Sequence, residues 1–139
     1  MSLASIRPFF RARLNALGLK EHSDAFDDAN RPQQTLEKLY RLQSGPATSG
    51  PANSSVHSFT VPISLVITLR GKLDNVALSD RAWAVSDEIL ADILQESVRI
   101  GTIIKDIIPD NIEVSQYNDS DDNDCILTIG FTVKIICRF

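Results

Sequence analysis

The chain has 139 residues, of which 43% are hydrophobic and 23% are charged, and its formal net charge is -4 at pH 7. This length fits one domain, because two halves would each be too small to bury a good core without disulfides or metals. The apolar and charged fractions exclude wholesale disorder. The acidic balance argues against a surface made for nucleic acid, since phosphate contacts need clustered Lys and Arg, and we expect no sequence-specific nucleic-acid binding.

The first residues, MSLASIRPFFRARLNALG, do not resemble a secretory signal, because charges interrupt them and no apolar run of about seven residues occurs. No segment approaches the roughly 18 consecutive apolar residues of a spanning helix. We therefore expect a protein that works in an aqueous compartment and has no membrane partner.

Residues 2–17 are predicted to form a helix, with Ser2 or Ser5 as its N-cap. Gly18 follows the last apolar residue, where a left-handed C-cap is expected. The apolar side chains recur every three or four residues and so share one helix face; they are Leu3, Ile6, Phe10, Leu14 and Leu17.

Two polar segments flank the next apolar one. Residues 20–34 lack a period and are predicted to be a loop, with Phe26 as an anchor. Residues 35–43, TLEKLYRLQ, favour a strand, although their leucine spacing also suits a helix. Residues 44–55 contain two Gly-Pro pairs, at Pro46 and Pro51, and are predicted to be a flexible surface loop.

The clearest pattern lies between His57 and Arg70, where apolar and small or polar residues alternate. Period-2 alternation predicts a strand with one buried face. Pro62 cannot donate a ladder hydrogen bond, so we expect an edge or a bulge at that point. Residues 71–75 are predicted to form a turn.

A helix is predicted from Ser79 to about Val98, with an apolar stripe that includes Ala82, Trp83, Ile89, Leu90, Ile93 and Leu94. Residues 103–108 are apolar but short, and residues 112–117 suggest a strand. Residues 118–124, NDSDDND, form an acidic hairpin tip that carries Asp119, Asp121, Asp122 and Asp124. Residues 125–137 alternate again and predict a second long strand.

These elements predict a single α+β domain over residues 1–139, in the order α-β-β-α-β-β. Its sheet would be mostly antiparallel, with long strands and two helices packed on one side. Two strands of about 13 residues exceed the usual 5–6 and would span about 40 Å. We expect a second copy of the chain to cover the apolar surface that two helices leave open.

No arrangement of residues indicates catalysis. The two histidines, His22 and His57, are isolated, and no pattern joins a nucleophile to a histidine base. The chain lacks CxxC, HExxH and phosphate-binding glycine motifs. We therefore predict that the protein is not an enzyme and holds no metal or cofactor.

The acidic tip begins like a calcium loop, with Asp119, Asp121 and Asn123 in register. However, the sixth position is Asp124 instead of Gly and the twelfth is Gly130 instead of Glu. The tip is therefore interpreted as a solvated hairpin end, with an electrostatic docking role or weak divalent binding as alternatives.

Trp83 is interpreted as a residue of the packed core, with an interface anchor as the alternative. Cys125 and Cys137 lie in one predicted strand, about 40 Å apart at 3.3 Å per residue. This separation excludes a disulfide between them, so both are expected to be core residues.

The chain resembles the tail terminator (tail completion, minor tail) proteins of long-tailed bacteriophages. The resemblance covers most of the chain and follows an order of segments: the IRPFFRARL helix, the DAFDDANRP turn, the TLEKLYRLQ strand, the alternating FTVPISLVITLRGK strand and the SDRAWAVSDEILADIL helix.

This resemblance implies a homo-oligomer, a hexameric ring that caps the tail tube, stops its elongation and joins it to the head connector. The expected partners are thus the tail tube protein and the head-tail connector protein, and the expected location is the virion after synthesis in the host cytoplasm. The candidate contact residues lie in the loop, the tip and the long strands; they are Pro46, Pro51, Asp119, Asp121, Asp122, Asp124, Pro62 and Arg70.

Three alternatives remain. The chain could be a related neck or head-closure subunit, or an adaptor or ligand-binding domain that dimerises through its sheet. A small carboxylate enzyme that uses Asp24, Asp27 and Asp28 is the third, although no base or metal partner accompanies those residues in the sequence.

Overall fold

A computed structural model describes residues 3–21, 38–50, 57–70, 76–116 and 124–137. These residues form an α+β fold, as the sequence predicts. Two α-helices lie at Ile6–Ala16 (α1) and Val76–Ile93 (α2). The strands are Lys20–Glu21 (β1), Leu39–Ser44 (β2), Thr48–Ser49 (β3), His57–Arg70 (β4), Ile104–Gln116 (β5) and Asp124–Cys137 (β6).

The described strands form one six-stranded, mostly antiparallel sheet in the order β1-β2-β4-β6-β5, and β3 also pairs with β4. The two predicted long strands, β4 and β6, are direct neighbours paired along 14 residues, from His57 opposite Cys137 to Arg70 opposite Asp124. β1 pairs with β2 in parallel and falls in a segment predicted to be a loop. The long strands therefore lie at the centre of the sheet.

The first helix, α1, forms largely as the spacing of its apolar residues predicts. Ile6, Phe10 and Leu14 are buried, and Gly18 adopts a φ of 88°. The Gly18 amide donates to the Asn15 carbonyl and the Leu19 amide to the Leu14 carbonyl, which is the hydrogen-bond pattern of a glycine-terminated helix. Of the two expected N-caps, Ser5 is wrong, because its side chain makes no capping hydrogen bond, and Ser2 lies outside the described residues.

A bulge in the segment between β2 and β3 lies opposite Pro62 of β4. Ser44 is opposite Ile63 and Thr48 is opposite Thr60, so the chain from β2 to β3 has one residue more than β4 between these pairs. The Gly45 amide donates to the Pro62 carbonyl across the bulge. The irregularity that Pro62 predicts is confirmed, and it lies in the neighbouring segment.

The predicted loop 44–55 is described as far as Gly50, and this part is exposed. It differs from a free loop, since Thr48 and Ser49 pair with β4 and the Gly50 amide donates to the Ser58 carbonyl. Pro51 lies outside the described residues.

The second helix and the strand after it differ from their predicted bounds. α2 begins at Val76 and ends at Ile93, and a 3-10 helix at Glu96–Arg99 follows it. The apolar residues 103–108 and the predicted strand at 112–117 join into the single strand β5. The alternation of β5 is broken by register shifts between Ile104 and Asp106 and between Pro109 and Ile112. Because of these shifts, the sequence pattern does not predict one long strand here.

The core lies between the two helices and one face of the sheet. Phe10 of α1 contacts Phe131 of β6, with ring centroids 5.7 Å apart. Ala82, Ile89 and Ile93 of α2 belong to the same buried cluster as the odd-numbered residues of β6 and those of β4 from Val61 to Leu69. Both helices thus pack on the same side of the sheet, as predicted.

Cys125 and Cys137 of β6 are both buried, as predicted, and no disulfide joins them. Every odd-numbered residue of β6 from Cys125 to Cys137 is buried, and so are the odd-numbered residues of β4 from Val61 to Leu69. The apolar face of the long strands is therefore buried within the chain. The expectation that a second copy must cover this face is wrong; the surfaces left open are the opposite face and the edges.

Candidate assembly surface

The edge of the sheet formed by β5 is its longest free margin in the described structure. β5 has 13 residues and pairs only with β6 among the described strands. A strand at an edge presents unpaired N–H and C=O groups on its outer side, which can pair with another chain. The two register shifts and Pro109 interrupt this row of groups, so backbone pairing would be limited to short stretches.

The other margin is short and irregular. β1 and β3 have two residues each, and the bulge at Gly45 separates β2 from β3. Pro46 is exposed in that bulge. A Cβ added to Gly45 would lie 2.6 Å from Cγ of Pro62, so this close approach requires a glycine.

The face of the sheet opposite the helices is rich in hydroxyl groups and partly exposed. The even-numbered residues of β4 and β6 lie there, including the exposed Pro62 and Lys134. Near one end this face is covered, because Leu39 and Thr68 are buried. Elsewhere it exposes small and polar side chains, and Ile108 and Ile136 are more than a third exposed.

A shallow cavity of about 510 Å³ lies on this face of the sheet, called here the second face, at Gly130, which lacks a side chain. Its polar lining comes from four strands and includes Gln43, Ser64, Asp110, Asn111 and Thr128. The Thr132 hydroxyl donates to Asp110 Oδ2 at 2.8 Å beside it. These hydroxyl, amide and carboxylate groups suit contact with a polar partner surface through hydrogen bonds that include water.

A basic cluster lies where α1 meets β1. Arg7 Nη2 donates to Glu21 Oε1 at 2.9 Å, and Arg11 Nη2 donates to the same oxygen at 3.1 Å. Burial alone would raise the pKa of Glu21, but the hydrogen bonds from both guanidinium groups outweigh burial and lower the pKa. The hydrogen bond to Glu21 raises the pKa of Arg7. One carboxylate thus binds two cations, so these three described side chains together carry one net positive charge.

A second ion pair joins the helices. Arg13 Nε donates to Asp92 Oδ2 at 2.8 Å, and Arg13 Nη2 contacts the other carboxylate oxygen. This hydrogen bonding raises the pKa of Arg13. The bidentate geometry fixes which side of α2 faces α1.

Trp83 is 45% exposed, which corrects its interpretation as a core residue; Leu94 is also exposed, at 38%. At about 100° per residue, Trp83 lies outside the buried sector of α2, which includes its sequence neighbour Ala82 as well as Ile89 and Ile93. Spacings of 7 and 11 residues instead place Leu90 and Leu94 in line with Trp83. This periodicity was readable in the sequence and indicates a second, outer apolar stripe on α2.

The structure brings few of the predicted site residues together. Pro46 lies in the bulge and Pro62 lies opposite it in β4, while Arg70 and Asp124 are opposite each other at the far end of the sheet. The tip residues Asp119, Asp121 and Asp122 lie outside the described residues, as do His22, Asp24, Asp27 and Asp28. The candidate surface is therefore formed by the edges and by α2.

Within the described segments, no three His, Cys, Asp or Glu side chains are grouped so that they could hold a metal ion. None of the described helices has both the length and the apolar character needed to cross a membrane. A comparison with protein-family models and with curated proteins finds no match to this chain. The surface geometry is thus the basis for a functional proposal.

Proposed function

We propose that the protein is a structural subunit of a bacteriophage virion, a tail terminator that forms a ring on the tail tube. In this role it stops tube elongation, joins the tube to the head-tail connector and performs no catalysis. The observation that carries the proposal is the margin formed by the 13-residue strand β5, which has a free outer side in the described structure and lies beside α2.

Two features of the surface support assembly over binding of a small molecule. An exposed Trp is costly to leave in water and is typical of the centre of protein interfaces. The two margins of the sheet also differ in length, charge and shape. Unlike margins suit a ring, in which each copy contacts the next through two different surfaces.

The family assignment within this proposal comes from the order of segments described in the sequence analysis. The α+β fold, with a central pair of long strands and two helices on one side, agrees with that order. A neck or head-closure subunit would share these features, and so the test must involve the tail tube.

The test is to polymerise a tail tube protein encoded near this gene in the presence and absence of the purified protein. We expect shorter tubes and a ring of density at one tube end in negatively stained images. Tubes of unchanged length with bare ends would contradict the proposal. Binding to the head-tail connector but not to tubes would favour a head-closure subunit instead.

The runner-up is an adaptor or ligand-binding domain that dimerises through its sheet, and the polar cavity on the second face favours it. Sedimentation analysis separates the two. A compact dimer without larger species, together with saturable binding of a small polar ligand, would support the runner-up.

A further inference from the structure

We propose that copies of this chain associate head to tail, with the outer stripe of α2 in one copy seated against the margin beside α1 in the next. The outer stripe is the exposed Trp83, Leu90, which is partly buried against the core, and the exposed Leu94 directly after the end of α2. The receiving margin is the cavity beside α1 together with its basic cluster. This inference rests on the proposed assembly function and names the two surfaces that would join neighbouring copies.

The outer stripe points away from α1. Asp92 lies about 180° around α2 from Trp83, at 100° per residue, and is bound to Arg13 of α1. The residues of α2 that face the sheet, such as Ala82 and Ile89, lie about 100° to 120° from Trp83. The stripe is therefore on the flank of α2 opposite α1.

This flank lies on the β5 side of the molecule. α2 packs against β5 and β6, whereas α1 packs against β1 at the other end of the strand order. A neighbour that approached the free edge of β5 would therefore meet Trp83 as well. The stripe and the edge, which lie on the same side of the molecule, are together called here the donor margin.

The opposite margin contains an apolar cavity of about 310 Å³ between α1 and the sheet. Its apolar lining is Ala4, Ile6, Phe10, Leu42, Ala47, Val61 and Ile63. The cavity lies at the end of β2, next to the bulge at Gly45 and past the short strand β1. A cavity of this size and lining suits an aromatic side chain from a neighbour.

The charges of the two margins are complementary. Asp80 and Asp87 are exposed on α2 at about 60° and 40° from Trp83, so the donor margin is acidic around its aromatic residue. At the receiving margin, Arg7 lines the cavity and is 54% exposed, and Arg11 is 46% exposed. Within the described residues, Glu21 is the carboxylate that binds both cations, and one negative charge balances one of the two. Opposite charge at unlike margins orients association and raises its rate.

The same charges disfavour a twofold dimer through the donor margin. Such a dimer would bring Asp80 and Asp87 of one copy toward the same residues of the other, where like charges repel. The contact that pairs unlike surfaces is heterologous. It closes into a ring if the rotation from each copy to the next divides a full turn evenly. A second copy of this chain is thus the occupant that the surfaces fit best.

Trp83 is the only tryptophan of the chain, so its fluorescence reports on this contact directly. We expect the emission to shift to shorter wavelength, and acrylamide quenching to decrease, as protein concentration rises and larger species appear in sedimentation velocity. Asp87→Lys should weaken this association at least about 30-fold, because it places a cation opposite the arginines of the receiving margin. The matched control is Glu88→Lys, an exposed neighbour about 140° from Trp83, which should leave association within about threefold of the unmodified chain.

A mixing experiment tests the direction of the contact. One variant, Trp83→Ala, loses the donor margin but keeps the cavity. The other keeps Trp83 and loses the receiving margin through Ala47→Leu at the cavity lining, with Arg7→Glu as a second version should the first alter folding. Circular dichroism checks that each variant folds.

Each variant alone should form no ring, and the mixture should form a one-to-one complex that does not grow further. Trp83 of the blocked variant is then the sole tryptophan, and its emission should shift only when the Trp83→Ala variant is added. Self-association of the blocked variant with a shifted emission would overturn the head-to-tail arrangement in favour of a twofold one.

The outcomes distinguish this inference from the proposed function. Rings or tube caps that form normally with Trp83→Ala would refute the donor margin and leave the tail terminator proposal standing. An unmodified chain that shows no emission shift at any concentration, or when bound to tube ends, would refute the inference as well. Head-to-tail association without any effect on tubes would support the inference and refute the tail terminator proposal.

Discussion

Single residues stabilise the margin beside α1 through charge. Glu21 accepts hydrogen bonds from both Arg7 and Arg11, and these bonds hold its pKa below the ordinary value of 4.5 in spite of partial burial. A carboxyl group whose pKa is lower in the folded state stabilises the fold above its unfolded pKa. This stabilisation is lost as the pH falls through the folded pKa.

Glu21→Gln should therefore lower the free energy of unfolding at neutral pH, by up to about 1 kcal/mol because both arginines are half exposed. This loss of unfolding free energy relative to the unmodified chain should shrink as the pH falls below 4.5, where Glu21 of the unmodified chain also becomes protonated. Urea denaturation at several pH values measures this. A deficit that stays constant down to strongly acidic pH would contradict the electrostatic role; Glu88→Gln on the exposed face of α2 is the control.

Gly45 and Pro62 illustrate a steric requirement at the same scale. Gly45→Ala should destabilise the fold by about 1 to 3 kcal/mol, because the new Cβ would lie 2.6 Å from the proline ring. Thermal unfolding measures the loss. The double variant Gly45→Ala with Pro62→Ala should recover most of it, and strict additivity of the two changes would show that the ring is not the cause.

At the scale of elements, the packing of α1 depends on one face. Phe10 is fully buried against Phe131, whereas its neighbour Phe9 is only partly buried and meets Phe10 edge to face at 5.6 Å. Adjacent residues of the same type thus differ in how much core they fill.

Phe10→Ala should cost about 3 to 5 kcal/mol of unfolding free energy, since it leaves a cavity between helix and sheet. Phe9→Ala is the matched control and should cost clearly less. Denaturant titration compares the two variants. Equal losses would mean that α1 does not pack on the sheet through the Phe10 face.

At the scale of the whole molecule, the strand order decides which parts of the sheet are protected. β4 and β6 have neighbours on both sides, whereas β5 lies at one edge. Backbone amides paired inside a sheet exchange with solvent only when the structure opens.

Hydrogen exchange of the free protein should therefore be slow in β4 and β6 and faster in the outward-facing amides of β5. In the assembled form, amides of β5 should gain protection while β4 and β6 change little and serve as the internal control. If β5 gained no protection in rings or on tube ends, its edge would not be part of the interface.

The sequence by itself determined the elements whose periodicity is strong. Alternation defined β4 and β6, the three-to-four spacing defined the buried face of α1, and Gly18 ended that helix, because each of these depends on local geometry. Pro62 predicted an irregularity for an equally local reason, its missing amide hydrogen.

Only the tertiary structure decided how these elements are arranged. It paired β4 with β6, joined two short apolar segments into β5 across its bulges, and left Trp83 outside the core. Strand order and the phase of a helix against its sheet arise from contacts between distant residues, which local periodicity does not encode. The edges, and with them the proposed assembly surface, follow from that order.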